Sequence, residues 1–189
     1  MKRAAPEFAW RLGPGIREIP VDPASFTRAL DKVVDGIGSA RSQPAQLLAL
    51  LAEAAPLLRI AGRLEEARKT AAAAIALAEL VEDSGAVFRS QLALAQVMQR
   101  EARFEISTPL FDQLIMQARS SPALADALHD VLFSAGSNLF DQHRYAEAAK
   151  CFRESQGLRR ANGLEDLLEI SAEAMRQTKQ AALQRDRAG

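Results

Sequence analysis

Cysteine occurs once in these 189 residues, histidine twice, and tryptophan and tyrosine once each. A single thiol cannot close an internal disulfide, and two imidazoles leave little from which to build a metal cage or a nucleophile–base–orienter triad. Cys151, between Lys150 and Phe152, reads as a buried structural thiol. The phosphate-cradling Gly-x-x-x-x-Gly-Lys-Ser/Thr loop is missing, as are the Gly-x-Ser-x-Gly elbow and the His-Glu-x-x-His pair. Gly36-Ile37-Gly38 has no third glycine and no strand before it. Asp126, His129 and Asp130 are spaced to share one helix face and could in principle hold a divalent cation, but a polar helix face is the plainer reading. No catalytic, cofactor-binding or metal-binding residue is assigned, and no enzymatic activity is expected.

An excess of one charge is also absent, since Lys plus Arg and Asp plus Glu each number 24. No global field draws in nucleic acid or a membrane surface. No stretch approaches the roughly 20 apolar residues that span a bilayer. Met1-Lys2-Arg3 resembles the charged start of an export signal, but Pro6, Glu7, Arg11, Gly13 and Pro14 interrupt the apolar core such a signal needs. A cytoplasmic location is therefore expected. Arginine outnumbers lysine and alanine is abundant, which points to a GC-rich bacterial genome.

What the chain has in quantity is small and aliphatic residues at helical spacing, with 48% hydrophobic residues overall. Residues 1–21 stand apart as an irregular arm, because Leu12-Gly13-Pro14-Gly15 and Pro20 cannot propagate a helix. The arm carries Phe8, Trp10, Leu12, Ile16 and Ile19, more apolar surface than a disordered tail displays. It is expected to dock on its own helices or on another copy, the latter giving a homodimer. Asp22 and Pro23 open a first helix that stops at Gly36-Ile37-Gly38. Further helices are expected over 44–60, kinked at Pro56, and over 63–82 and 86–101. Another covers 104–119, kinking or restarting at Pro109. A sixth is capped by Ser121 with Pro122 at its first position, a seventh covers 144–161, and an eighth starts near Leu164 and turns polar after Gln177. Residues 22–185 make a single helical domain, and 186–189 are a tail.

Three stretches superpose without gaps: Gly62-Arg63-Leu64-Glu65-Glu66-Ala67, Ala102-Arg103-Phe104-Glu105-Ile106-Ser107 and His143-Arg144-Tyr145-Ala146-Glu147-Ala148. Each closes one amphipathic helix and opens another, so the repeating unit is a helix hairpin. Over roughly Gln43 to Ala161 the pattern resembles the tetratricopeptide (TPR) repeat in a long, about 40-residue bacterial form. The family's small position in the first helix falls on Ala55, Ala95 and Gly136, and its bulky position on Leu58, Met98 and Leu139. The turn position is Gly62, Ala102 and His143, and the small position of the second helix is Ala67, Ser107 and Ala148. The large position of the second helix falls on Ala71, Phe111 and Phe152, so the first repeat departs toward small residues and must pack more closely there.

The resemblance implies an all-α fold: a right-handed superhelical solenoid of antiparallel helix hairpins, with about three TPR-like repeats between N- and C-terminal capping helices. It also implies that first helices line a concave groove. Carried over, the groove has Ala52, Pro56 and Arg59 from repeat one, and Arg89, Leu92, Gln96 and Gln99 from repeat two. Repeat three adds Asp130, Phe133, Ser137 and Phe140. Phe133 and Phe140, seven residues apart, are expected to point into the groove and not into the hairpin. The lysine, arginine and asparagine set with which some relatives clamp a terminal carboxylate is not present. Arg63, Arg103 and Arg144 recur in the turns, as a solvated rim or a ridge for an acidic partner. The expected role is a non-enzymatic adaptor or scaffold binding a protein segment or peptide. A ligand- or peptide-responsive regulatory domain and a cytoplasmic secretion chaperone are the alternatives. No nucleic acid, membrane or cofactor is expected.

Overall fold

A computed structural model describes residues 6–188, so Lys2 and Arg3 of the basic start lie outside the described residues. Eight helices follow one another in antiparallel pairs: α1 (Pro23–Ser39), α2 (Pro44–Ile60), α3 (Leu64–Leu80), α4 (Ser84–Arg100), α5 (Phe104–Ser120), α6 (Leu128–Asp141), α7 (Tyr145–Ala161) and α8 (Glu165–Ala188). This is the helical repeat solenoid that the three turn motifs imply. The arm is not irregular. A 3-10 turn at Pro6–Phe8 leads into β1 (Trp10–Gly13), which pairs with β2 (Arg17–Pro20) around a second 3-10 turn at Pro14–Ile16. The expected tail is also replaced by structure, since α8 continues to Ala188.

Contacts divide the chain into two units, one holding α1–α4 with the outer parts of the hairpin, the other α5–α8 with residues 12–17. In the first unit the Asp22 carboxylate accepts hydrogen bonds from the N–H groups of Ala24 and Ser25 at 3.1 Å each. Together with the hydroxyl of Ser25 these bonds hold its carboxyl below the usual range. Phe26, Leu30, Leu57 and Leu58 form the core with Ala54, Ala67 and Val97. Ala55, Ala71 and Ala93 form a second, alanine-built contact, which is how repeat one packs where the pattern has lost its large residue. In the second unit the solution is the reverse: Gly136 makes room for Phe152, and a Cβ on Gly136 would lie 2.7 Å from the Phe152 ring. Both helices with internal proline run on without a break, so the restart expected at Pro109 does not occur. Ser121 caps no α-helix; a 3-10 segment, Pro122–Ala127, precedes α6 and delays its start to Leu128.

One backbone turn recurs. Between α2 and α3, Gly62 has φ +78°, the Arg63 N–H donates to Leu58 O at 2.9 Å, and the Gly62 N–H donates to Arg59 O at 3.1 Å. The same paired bonds close α3 at Glu82, α6 at His143 and α7 at Gly163, all with positive φ. Glycine fits this left-handed position without cost, whereas a residue with a Cβ loses about 1 kcal/mol there. Glu82→Gly is therefore expected to stabilise the protein by about 1 kcal/mol, raising the melting temperature by about 2–4 °C in a thermal scan. An unchanged or lower midpoint would mean that the Glu82 side chain compensates for its strained backbone.

Candidate functional site

The expected inner-face positions fall in both units. In the first, Arg59 projects from the last turn of α2, is 5% exposed, and forms an ion pair with Glu18 of the arm. Its Nε is buried without a hydrogen-bond partner, an unusual state for a guanidinium nitrogen. Phe8, also from the arm, meets Phe26 edge-on with ring centroids 5.9 Å apart. Ala52, Pro56, Leu92 and Gln96 are half-buried, Gln99 is buried, and Arg89 is exposed.

In the second unit the helices hold the arm by its main chain as well as its side chains. The N–H of Ile16 donates to Gln177 Oε1 at 3.1 Å, and Gln177 Nε2 donates back to the carbonyl of Gly13 at 3.0 Å. A second bond from Gln177 Nε2 to Glu173, at 2.8 Å, orients the amide. That hydrogen bond, followed by those from Arg176, holds the Glu173 carboxyl below its ordinary pKa. Ile16 is 6% exposed and packs in an apolar cluster with Ala148, Phe152 and Ala174, bordered by Leu12, Phe133, Phe140 and Met175. Beside it Arg17 makes a two-pronged contact with Asp141, Nη1 to Oδ2 at 2.9 Å and Nη2 to Oδ1 at 2.8 Å. The Asp141 side chain is only 9% exposed, and a fork–fork pair is the geometry by which a carboxylate of this burial is best answered. Gly15 and Ile16 both have positive φ, at 68° and 57°. For β-branched Ile16 this costs about 1–3 kcal/mol, which the surrounding contacts must offset.

Phe133 and Phe140 belong to this packing and are not free walls of a groove. The Phe133 ring lies 5.2 Å from that of Phe152 on the second helix of its own hairpin, with the Arg159 guanidinium 4.5 Å from its centroid. Phe140 stands edge-on to Tyr145 at 5.4 Å. The expectation that both avoid the hairpin fails because a seven-residue spacing fixes a common face but not what lies opposite it. Ser137 is buried and donates to the carbonyl of Phe133 at 3.1 Å. Asp130 bonds His129 Nδ1 at 2.9 Å and Arg159 Nη2 at 3.2 Å. Burial pushes its carboxyl up, but the hydrogen bond from His129 and the charges beside it outweigh this and leave it below the ordinary value. Arg159, 3% exposed, also donates to Ser171 Oγ at 2.8 Å, and desolvation weakens its hold on its proton. Asp126 sits apart, exposed in the 3-10 segment, so the cation-binding trio does not assemble. Among the described residues no cluster of three or more His, Cys, Asp or Glu could hold a metal ion.

The turn arginines Arg63 and Arg144 pair with carboxylates. Arg63 forks onto Glu66 at 2.8 and 2.7 Å and also reaches Asp31, and Arg144 forks onto Glu147 at 2.8 and 2.6 Å. Hydrogen bonds to those glutamates raise the pKa of both arginines. The Cys151 thiol is half-buried, and burial raises its pKa, as does the nearby Glu154.

Sequence reasoning did not single out Glu18, Asp141, Arg159 or Gln177. Gln177 lies where α8 turns polar, the place of a solvated cap, and nothing in its neighbours distinguishes a backbone-reading amide from a solvated one.

No protein-family model matches this chain, and no curated protein does. Among solved structures it is similar to the nearly identical TPR-like repeats of a Podosopora anserina kinesin light chain candidate, with a TM-score of 0.60 at 15% identity. The match covers 87% of this chain and 82% of the other. The similarity is one of fold, and the chain has a TPR-like helical repeat architecture. No described helix is long and apolar enough to cross a membrane.

Proposed function

We propose that this chain is a non-enzymatic protein-interaction module, an adaptor whose first-helix faces take up a segment of a partner protein. The observation that carries the reading is the Gln177 clamp, in which a side chain of the second unit already holds a tight turn of polypeptide by its N–H and C=O groups. In the first unit the accessible part of this surface is Arg89, Leu92 and Gln96, with Arg59 and Gln99 buried beside it; in the second, Asp130 is accessible, Ser137 is buried, and Phe133 and Phe140 border the cluster that takes Ile16 of the arm. Because the arm occupies part of these faces, it competes with the partner. Two copies exchanging arms would form a homodimer through the same contacts.

The test uses the full chain and two variants as baits in native cell extract, read by quantitative mass spectrometry. Arg89→Glu alters an exposed side chain, so it should leave helicity intact while reducing recovery of the true partner about tenfold, the effect of losing one interfacial charge contact. Arg17→Glu, which loosens the arm, should increase recovery of the same protein. Identical recovery with all three baits would show that the inner faces take no part in binding.

A further inference from the structure

The arm is also a template for what the second unit recognises. We infer that the seat of the arm on α6, α7 and α8 selects a partner segment bearing an aliphatic residue followed directly by an arginine, presented in a tight turn. This rests on the reading that the inner faces take protein segments and adds the chemistry of the segment. Three recognitions converge within six residues of the arm. Gln177 reads the backbone on both sides of the turn, from Gly13 O to Ile16 N, without regard to sequence. The apolar cluster around Phe152 and Ala174 takes one aliphatic side chain, Ile16. Asp141, with little solvent about its carboxylate, takes a guanidinium in a two-pronged contact that a lysine ammonium cannot reproduce. An acidic segment would set like charge against the Asp141 carboxylate, so the pocket discriminates by charge as well as by shape.

The probe is a fluorescent peptide copying residues 11–18, and the readout is anisotropy. The wild-type chain should bind it poorly, because a tethered arm competes at an effective concentration of about millimolar. Full-length Ile16→Asp, which cannot keep a carboxylate in the apolar cluster, should bind the peptide about tenfold more tightly than wild type. Adding Asp141→Arg to that variant should abolish the gain, and a peptide in which the arginine copying Arg17 is replaced by glutamate, with the one copying Arg11 kept, should recover it only on the chain carrying Asp141→Arg. Should Ile16→Asp fail to fold, Arg17→Glu serves as the arm-released chain. Equal binding to the Asp141 and Asp141→Arg forms, no binding to either released chain, or a concentration-dependent dimer in place of peptide binding would each overturn the inference. Peptide binding with charge-swap rescue but no partner recovered by the baits above would leave this pocket standing and remove the adaptor reading instead. Recovery of a partner without peptide binding would do the reverse.

Discussion

Replacing Phe152 by alanine is expected to destabilise the protein by about 3–5 kcal/mol, a large share of the 5–15 kcal/mol by which a typical domain is folded. Phe152 is fully buried, stacks at a tilt on Phe133, and fills the space that Gly136 leaves on the facing helix. Removing the ring opens a cavity whose wall includes a glycine, and a glycine has no side chain with which to relax into it. The pairing also predicts coupling. Gly136→Ala alone drives a methyl group to 2.7 Å from the ring and should be costly. In the Phe152→Ala background the same methyl group should be harmless or mildly stabilising. Urea titration of the four proteins gives the cycle, and additive effects within about 0.5 kcal/mol would refute the complementarity of the two residues.

Placing a carboxylate at Ala174 is expected to cost several kcal/mol and to unfold the second unit first. Ala174 is completely buried, as is Ser171 three residues before it, and Thr178 four residues after is nearly so. These three positions make the narrow face by which α8 covers α7, while Arg176, Lys179 and Gln180 between and beyond them are exposed. Over this stretch α8 is therefore apolar on one side and water-tolerant on the other. Ala174→Asp forces an ion into the apolar side, in the cluster of Ile16, Ala148 and Phe152. Lys179→Asp, one turn along on the wet side, should change stability by less than about 0.5 kcal/mol. Hydrogen exchange would show early loss of protection in α7 and α8 for the first variant only. A cooperative melt of Ala174→Asp with the wild-type midpoint would mean that α8 is dispensable to the fold.

The helical repeat was legible because its requirements are local and periodic. Apolar spacing marks each helix, and the turn needs only a residue that tolerates positive φ followed by a helix start. The three motif positions Gly62, Ala102 and His143 all have that backbone conformation. Small positions were legible too, since Ala55, Ala95, Ala67, Ser107 and Ala148 are buried where helices approach closely. Helix ends were read less well where two local signals compete, as at Ser121-Pro122, where a 3-10 segment uses the start that an α-helix was expected to take.

By itself, then, the sequence determined the class of fold, the hairpin as its unit and the places of the turns, because each follows from residue type at fixed spacing. It also marked the arm as too apolar to be a free tail. Only the tertiary structure decided that the arm folds as a hairpin on this chain's own helices, and that Glu18 answers Arg59, Arg17 answers Asp141, and Gln177 reads the main chain between Gly13 and Ile16. The physical reason is distance along the chain. Gln177 and Ile16 are 161 residues apart, and Arg17 and Asp141 are 124 apart. No periodicity connects such residues, so their partnership exists only where the folded helices bring them together.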